Sequence, residues 1–218
     1  MRNTALMLAV ATAMTACVSV NKQAMNAKAT TELKGQSITY TNRKKPDFAA
    51  MTAGKATFAL IGAVVAISDG NQLVASQNIA DPADAIAVGL IKVLENAHGV
   101  HVVTPPPTVS ANEAPEIAAN VHGAARFVVD AQTINWGFNY FPTDWSHYRV
   151  LYNAKVRLID TETKSVVAEG FCKYVPASAA NAPTYEELMA NEVAWLKNEL
   201  NAAVGECVNT LKAEMLAL

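Results

Sequence analysis

The fold is decided by residues 126–175, which read RFVVDAQTINWGFNYFPTDWSHYRVLYNAKVRLIDTETKSVVAEGFCKYV. Three segments of this stretch, residues 126–141, 145–160 and 165–175, alternate between apolar and polar side chains with a period of two residues. Such alternation is typical of β-strands that keep one face on a core. With a Pro-Thr turn at 142–143, the stretch predicts an antiparallel meander of three strands.

A long C-terminal helix is predicted to cover this meander. Thr184 and Glu187 have the spacing of a capping box, which marks the start of a helix. Apolar residues then recur at helical spacing as far as Met215, and Cys207 is one of them. Cys172 lies on the inner face of the third strand. We therefore expect Cys172 and Cys207 to form a disulfide that joins the helix to the sheet, as exported proteins commonly do.

The residues before the meander predict alternating strands and helices. Asp81, followed by proline, caps a helix that is expected to end at Gly99. Residues 37–41 and 100–104 are typical of strands, and residues 115–122 of a short helix. This order favours a parallel pair of strands beside the meander. The predicted fold is α+β, a single two-layer domain with a mixed sheet, whose C-terminal three-stranded meander is covered by the long helix.

Residues 56–67 form an apolar run of about 12 residues, which is too short to cross a membrane. Apolar side chains surround the whole helix that this run predicts, and such a helix is expected to be buried. Two interpretations follow from the pattern. The run is either a core helix of the domain or a helix that contacts another copy or a membrane. The turn-forming residues 68–71 are expected to end it.

The first residues indicate export. Residues 1–16 combine a basic start with a short apolar centre and small residues, which is typical of a signal peptide. The residues before Cys17 resemble the lipobox of bacterial lipoproteins, whose cysteine becomes the first residue and carries acyl chains such as palmitate. The alternative is an ordinary signal peptide with Cys17 as an incidental thiol. Val18 follows the cysteine where an aspartate would signal retention, and this resemblance implies an outer-membrane, periplasm-facing lipoprotein.

Three parts of the chain are expected: a signal peptide over 1–16, a lipid-anchored flexible tether over 17–36, and one periplasmic domain over 37–218. The segment 22–45 is rich in lysine and arginine, so the tether is either a solvated leash or a basic segment held at anionic headgroups. The chain as a whole has a formal net charge of −2. Nothing in this charge points to nucleic acid, and the membrane and an envelope protein are the expected partners.

One set of aromatic residues is a candidate binding surface. Pairing the first two meander strands so that apolar residues oppose one another places Asp130 opposite Lys155. Tryptophan, tyrosine and arginine on an exposed sheet face are typical of a protein-binding hot spot. A second core layer and a ligand or glycan site are the alternatives. The residues of this predicted face are Trp136, Phe138, Tyr140, Trp145 and Arg149, with Trp136 opposite Arg149.

Catalytic chemistry is not indicated. His98 and His101 span the end of a helix and the start of a strand, without a cysteine or carboxylate at ligand spacing. Asp81 and Asp84 fit the capping of a helix better than a catalytic pair. The sequence has no glycine-rich phosphate loop, nucleophile elbow or zinc motif. We therefore predict neither catalytic residues, nor a metal, nor a cofactor, and expect a protein that is not an enzyme.

Several of these motifs together resemble those of a known protein family. The lipobox, the sequence DPAD at 81–84, the sequence GAARFVVD at 123–130 and the two later cysteines together resemble a poorly characterised family of proteobacterial lipoproteins. More distantly, the order of elements resembles the TolB amino-terminal domain and the curli secretion lipoprotein. The resemblance implies an interaction or assembly accessory module in an envelope complex. The alternative is a transport-auxiliary lipoprotein that binds a small apolar ligand or a lipid.

Overall fold

A computed structural model describes residues 20–218 of the chain. The predicted signal peptide and the predicted lipidation site at Cys17 lie outside the described residues. The helices of the described part are Ala27–Leu33 (α1), Ala53–Ala56 (α2), Ala59–Ser76 (α3), Pro82–His98 (α4), Ala114–Val121 (α5) and Tyr185–Glu214 (α6). The strands are Ser37–Tyr40 (β1), Phe48–Ala50 (β2), His101–Val102 (β3), Phe127–Phe141 (β4), Asp144–Asp160 (β5) and Ser165–Tyr174 (β6).

These strands form one mixed sheet in the order β3-β1-β4-β5-β6. β1 lies parallel to both β3 and β4, and β2 lies parallel to the later part of β4. β4, β5 and β6 form the antiparallel meander. The α+β class, the mixed sheet and the C-terminal meander are therefore confirmed.

The register of the meander differs from the prediction. Asp130 faces Arg157 rather than Lys155, and Trp136 faces Tyr152 rather than Arg149. Placing apolar residues opposite one another assumes an unbroken ladder, but the pairing shifts beside the turn and again at Ile134. Beside the turn the ladder skips three residues of β5, and at Ile134 a β-bulge adds one residue to β4. Each shift displaces every later pair.

The main core lies between one face of the sheet and helices α1, α4 and α6. The caps that were predicted for α4 and α6 are present. Asp81 accepts a hydrogen bond from the amide of Ala83, and Thr184 and Glu187 form the capping box. The predicted disulfide between Cys172 and Cys207 joins β6 to α6, and both cysteines are buried. On the opposite face of the sheet, α5 covers one corner.

The prediction of a flexible tether is wrong for residues 23–36. Gln23 pairs with Glu169 on the outer edge of β6, and the residues after it fold into α1. Met25, Ala29 and Leu33 are buried in the main core. The polar composition of the segment obscured three apolar residues at four-residue spacing, which place one face of a helix on the core.

Candidate interaction surface

Helix α3 contacts the domain through its small residues. Gly62, Ala66 and Gly70 lie on one side of the helix and are buried. A Cβ atom at Gly70 would stand 2.0 Å from the carbonyl oxygen of Phe48, so the helix backbone lies directly on β2. At the other end of the contact, Gly62 has the same close approach to the carbonyl oxygen of Lys55.

The large side chains at the N-cap and in the first half of α3 point away from the domain, whereas Leu73 and Val74 near its end pack against the main core. Between 38% and 84% of each outward side chain is exposed. At 100° per residue they cover about half of the helix circumference, the half that faces outward. Together they expose on the order of 600 Å², which is the upper end for one apolar patch on a soluble monomer. We call these residues the α3 apolar surface: Phe58, Leu60, Ile61, Val64, Val65 and Ile67.

The structure places this helix on the surface of the domain and not in its core. It also continues beyond the predicted turn at 68–71, as far as Ser76. The polar residues of this segment attach the helix to the domain instead of ending it. Asp69 forms an ion pair with Lys55 at 2.7 Å, and the side chain of Asn71 accepts a hydrogen bond from the amide of Phe48.

Within residues 20–218, α3 is the helix that is long and apolar enough to cross a membrane by length and composition. Two features argue against a span. The small residues of the helix are held against the domain, at Lys55 and at β2, and the outward side of its second half is polar, with Ser68, Asp69 and Gln72 exposed. The apolar and polar parts therefore follow one another along the axis, which is the pattern of a surface helix with an apolar end.

Two residues of the predicted aromatic face are buried in the main core. The ring of Trp136 stands edge-on to Phe48 at 5.0 Å, and Phe138 contacts the same ring. Trp136 donates a hydrogen bond to the carbonyl of Pro46. The bulge at Ile134 is the cause, because it turns the following even-numbered residues of β4 onto the face that α6 covers. For Trp136 and Phe138 the prediction of an exposed face is wrong.

The other three residues do not form one surface. Trp145 is 60% exposed, beside the β4–β5 turn, and its ring lies 5.8 Å from that of Tyr140. Arg149 points to the opposite face of the sheet, where its guanidinium lies over the ring of Phe141 and donates to the carbonyl of Pro176. A binding role for Tyr140, Trp145 or Arg149 stays a prediction.

The α3 apolar surface lies at the same end of the molecule as the β4–β5 turn. β2 runs toward that turn beside β4, with Phe48 next to Trp136. α3 runs back along β2, with Gly70 over the carbonyl of Phe48. At 1.5 Å per residue, the start of α3 at Ala59 therefore lies at most about 16 Å closer to the turn than Gly70 does. The five residue steps of β4 from Trp136 to Phe141 cover about the same distance.

Two more aromatic side chains are exposed at this end. Trp145 adjoins the turn, and Tyr185, which opens α6, is 42% exposed. The ring of Tyr185 contacts those of Phe138 and Tyr148. We call the α3 apolar surface together with Trp145 and Tyr185 the apolar end of the molecule.

The buried charges of the domain are engaged in its structure. Asp130 forms ion pairs with Arg43 at 2.6 Å and with Arg157 at 2.7 Å. Burial by itself would raise the pKa of Asp130, but the hydrogen bonds and charges of the two arginines outweigh burial and hold that pKa below its usual value. The same arginines donate to the carbonyls of Ala111 and Asn112, so the cluster ties two loops to the sheet.

A cavity of about 230 Å³ lies between the start of α4 and the middle of α6. Ile79, Asp81, Leu200 and Val204 are among its lining residues. Burial raises the pKa of Asp81, whose carboxylate accepts hydrogen bonds from Thr133 and from the first turn of α4. This volume is below the range usual for pockets that enclose a drug-sized ligand. Within residues 20–218, no three His, Cys, Asp or Glu side chains are grouped to hold a metal ion.

Comparisons with known proteins give a distant likeness of fold. No family model and no curated protein matches the chain. The chain is similar to the PelC dodecamer from Paraburkholderia phytofirmans, at 14% identity and a TM-score of 0.38, over 91% of this chain and 97% of that one. It is also similar to the hypothetical protein CT253 from Chlamydia trachomatis, at 12% identity and a TM-score of 0.41, over 83% and 97%. At such values the likeness says nothing about function.

Proposed function

We propose that this protein is a non-enzymatic interaction module of the bacterial cell envelope. In this proposal a lipid on Cys17 anchors it in the outer membrane, with the domain facing the periplasm. Its working surface is the α3 apolar surface, which another component of the envelope covers. The observation that carries the proposal is the exposure of six large apolar side chains on one rigidly held helix.

The size of the surface supports an interaction. A stable protein contact buries about 800 Å² on each partner, and the α3 apolar surface with Trp145 approaches that area. An apolar patch of this size in water favours aggregation unless something covers it. The surface is also well supported, because the backbone of α3 rests on Lys55 of α2 at Gly62 and on β2 at Gly70. Binding therefore needs little ordering of the helix itself.

Two buried acidic residues of the domain have structural roles. Asp130 is held between two arginines, and Asp81 caps α4. The binding of a small apolar ligand receives less support than docking does. The cavity beside Asp81 is small, and its lining mixes polar residues such as Asn78 and Asn201 with the apolar ones.

Photo-crosslinking in intact envelopes tests the proposal. A benzoylphenylalanine at Val64 lies on the α3 apolar surface, and one at Ala75 lies three turns further along the same side of the helix. Both positions are exposed, so the second is a matched control. We expect the full-length protein to form an adduct with a protein or a lipid of the envelope from position 64 and little or none from position 75. Equal labelling at the two positions, or none at either, would contradict the proposed function.

A further inference from the structure

The distribution of apolar side chains around α3 indicates what covers it. A helix that docks against one neighbour needs an apolar stripe about 100° wide, with polar residues on both sides. The outward residues from Phe58 to Ile67 cover about 180°, which is the entire exposed half of the helix. A single protein helix would leave part of this arc in water, whereas a lipid phase would cover all of it.

The distribution along the axis is also that of partial insertion. Large apolar residues occupy the first half of α3, and Ser68, Asp69 and Gln72 are exposed in the second half. The polarity changes within about two turns. An end that enters the hydrocarbon and a remainder that stays in the headgroup layer or in water would show this change.

Trp145 and Tyr185 add the aromatic side chains that favour a membrane–water boundary. Both are partly exposed at the apolar end, and each has a polar atom on an otherwise apolar ring. The indole of Trp145 donates to the carbonyl of Pro142, which keeps the ring beside the β4–β5 turn.

The chain before Gln23 leads toward the same end. Gln23 pairs with Glu169 in antiparallel fashion, and β6 runs in the same direction as β4. The direction of the chain at Gln23, taken backward, therefore points along β6 toward Tyr174, which lies at the level of Trp136. Six residue steps lead from Gln23 to Cys17 and reach at most about 20 Å. Fully extended, this segment ends about 10 Å short of the level of Val64. The thickness of the headgroup layer, together with a modest tilt of the domain, covers this distance.

We infer that the apolar end of this molecule sits in the lipid bilayer that holds its N-terminal anchor, so that the domain touches the membrane at two places. The inference rests on the proposed function and names the component that covers the α3 apolar surface. A second contact fixes the orientation of the domain, which a lipid and a six-residue leader alone would leave free. The opposite end, with α5 and β3, then points away from the membrane.

Glu186 and Glu187 bring exposed acidic charges to this end. Attraction to anionic headgroups therefore does not drive the contact, and apolar surface does. We expect the same depth of insertion in vesicles of phosphatidylcholine alone and in vesicles that also contain phosphatidylglycerol.

The test uses the full-length protein with its lipid, checked by mass and reconstituted in phosphatidylcholine vesicles. A nitrobenzoxadiazole probe is placed on the single new thiol of Ile61→Cys or of Gln72→Cys. These positions are eleven residues apart, so they share one side of α3 and differ in depth by about 16 Å. The disulfide occupies Cys172 and Cys207, and acylation occupies the predicted anchor.

We expect nitroxide groups on the acyl chains to quench the probe at residue 61 several-fold more than the probe at residue 72, and aqueous iodide to show the reverse order. Equal quenching by the lipid nitroxide would overturn the bilayer contact. Shielding of residue 61 that appears only at high protein density, without lipid quenching, would assign the surface to a second copy. A mature chain without acyl groups would also overturn the inference.

The two proposals fail in different ways. If position 64 crosslinks to a protein in envelopes while the probe at residue 61 stays in water on vesicles, the interaction module stands and the bilayer contact falls. If position 64 forms no adduct in envelopes and the probe at residue 61 stays in water on vesicles, both proposals fall.

Discussion

Helices α3 and α6 use apolar residues in opposite ways. α6 places Leu188, Leu196 and Leu200 on the core and is joined to the sheet by a disulfide. α3 is the more apolar helix, yet it buries Gly62, Ala66 and Gly70 and exposes the large residues of its first half. Apolar content therefore did not decide which side was buried. The close approach of α3 to the backbone of β2 admits only small side chains, and the large ones remain on the outside.

Helices α3 and α6 are also attached to the sheet by different interactions. Of the substitutions considered, Asp130→Asn should lower the free energy of unfolding the most. Arg43 ties the loop before β2, and hence the support of α3, to the sheet through Asp130. Removing the carboxylate charge leaves two buried arginines, which costs about 3–5 kcal/mol of unfolding free energy. Urea titration measures this loss. A loss below 1 kcal/mol would show that the cluster does not hold the loop.

Acid should act through the same carboxylate. The pKa of Asp130 is lowered in the folded protein, so its contribution is present above the unfolded value near 3.9 and is lost as the pH falls through the folded value. The stability of Asp130→Asn should therefore fall less steeply below about pH 4 than that of the wild type. Parallel curves for the two proteins would argue against this assignment.

The disulfide is the corresponding tie of α6. Cys172→Ala/Cys207→Ala opens a loop that spans a sequence separation of 35 residues. The free energy of unfolding should fall by about 3–4 kcal/mol, because the unfolded chain gains freedom. Thermal unfolding with and without reductant measures the change. Reduction should not alter the vesicle contact of α3 in protein that remains folded.

Leucine truncation compares the two helices directly. Leu196 is fully buried, so Leu196→Ala should lower stability by about 2–5 kcal/mol. Leu60 is 84% exposed, so Leu60→Ala should change it by less than about 0.5 kcal/mol while it weakens vesicle contact. Similar losses of stability from both substitutions in detergent-free protein would show that α3 packs into the domain.

Glycine substitution gives the smallest effects. Gly70→Val places a side chain against the carbonyl of Phe48 and should cost about 1–3 kcal/mol, since α3 must move off β2. Gly205 in α6 has open space around it, so Gly205→Ala should stabilise the protein by up to about 1 kcal/mol. Urea titrations of both variants measure whether the two substitutions have opposite effects on the free energy of unfolding.

Local signals in the sequence predicted much of the fold. The cap at Asp81, the capping box at Thr184 and the two inward cysteines each rest on a pattern within one element, and all are present. The meander was also predicted, but its register was not. The bulge at Ile134 is a property of two paired strands, and the period of either strand alone does not reveal it.

The candidate surface was predicted less well for the same reason. Small residues at 62, 66 and 70 mark a side of α3 that can approach a backbone, but the pattern does not say whether that backbone belongs to the domain or to a partner. The structure shows that it belongs to β2. Unbroken alternation along β4 predicts Trp136 and Phe138 on a surface, whereas the bulge at Ile134 places them in the core. Trp145, which lies beyond the turn, is exposed.

The most direct test of the account is the reactivity of a thiol on α3 in isolated envelopes. Val64→Cys and Ala75→Cys place the thiol on the same side of the helix, three turns apart. A water-soluble maleimide should label residue 75 in envelopes and after detergent extraction, and should label residue 64 only after extraction. Rapid labelling of both residues in untreated envelopes would show that the α3 apolar surface lies open to water, and would contradict the account.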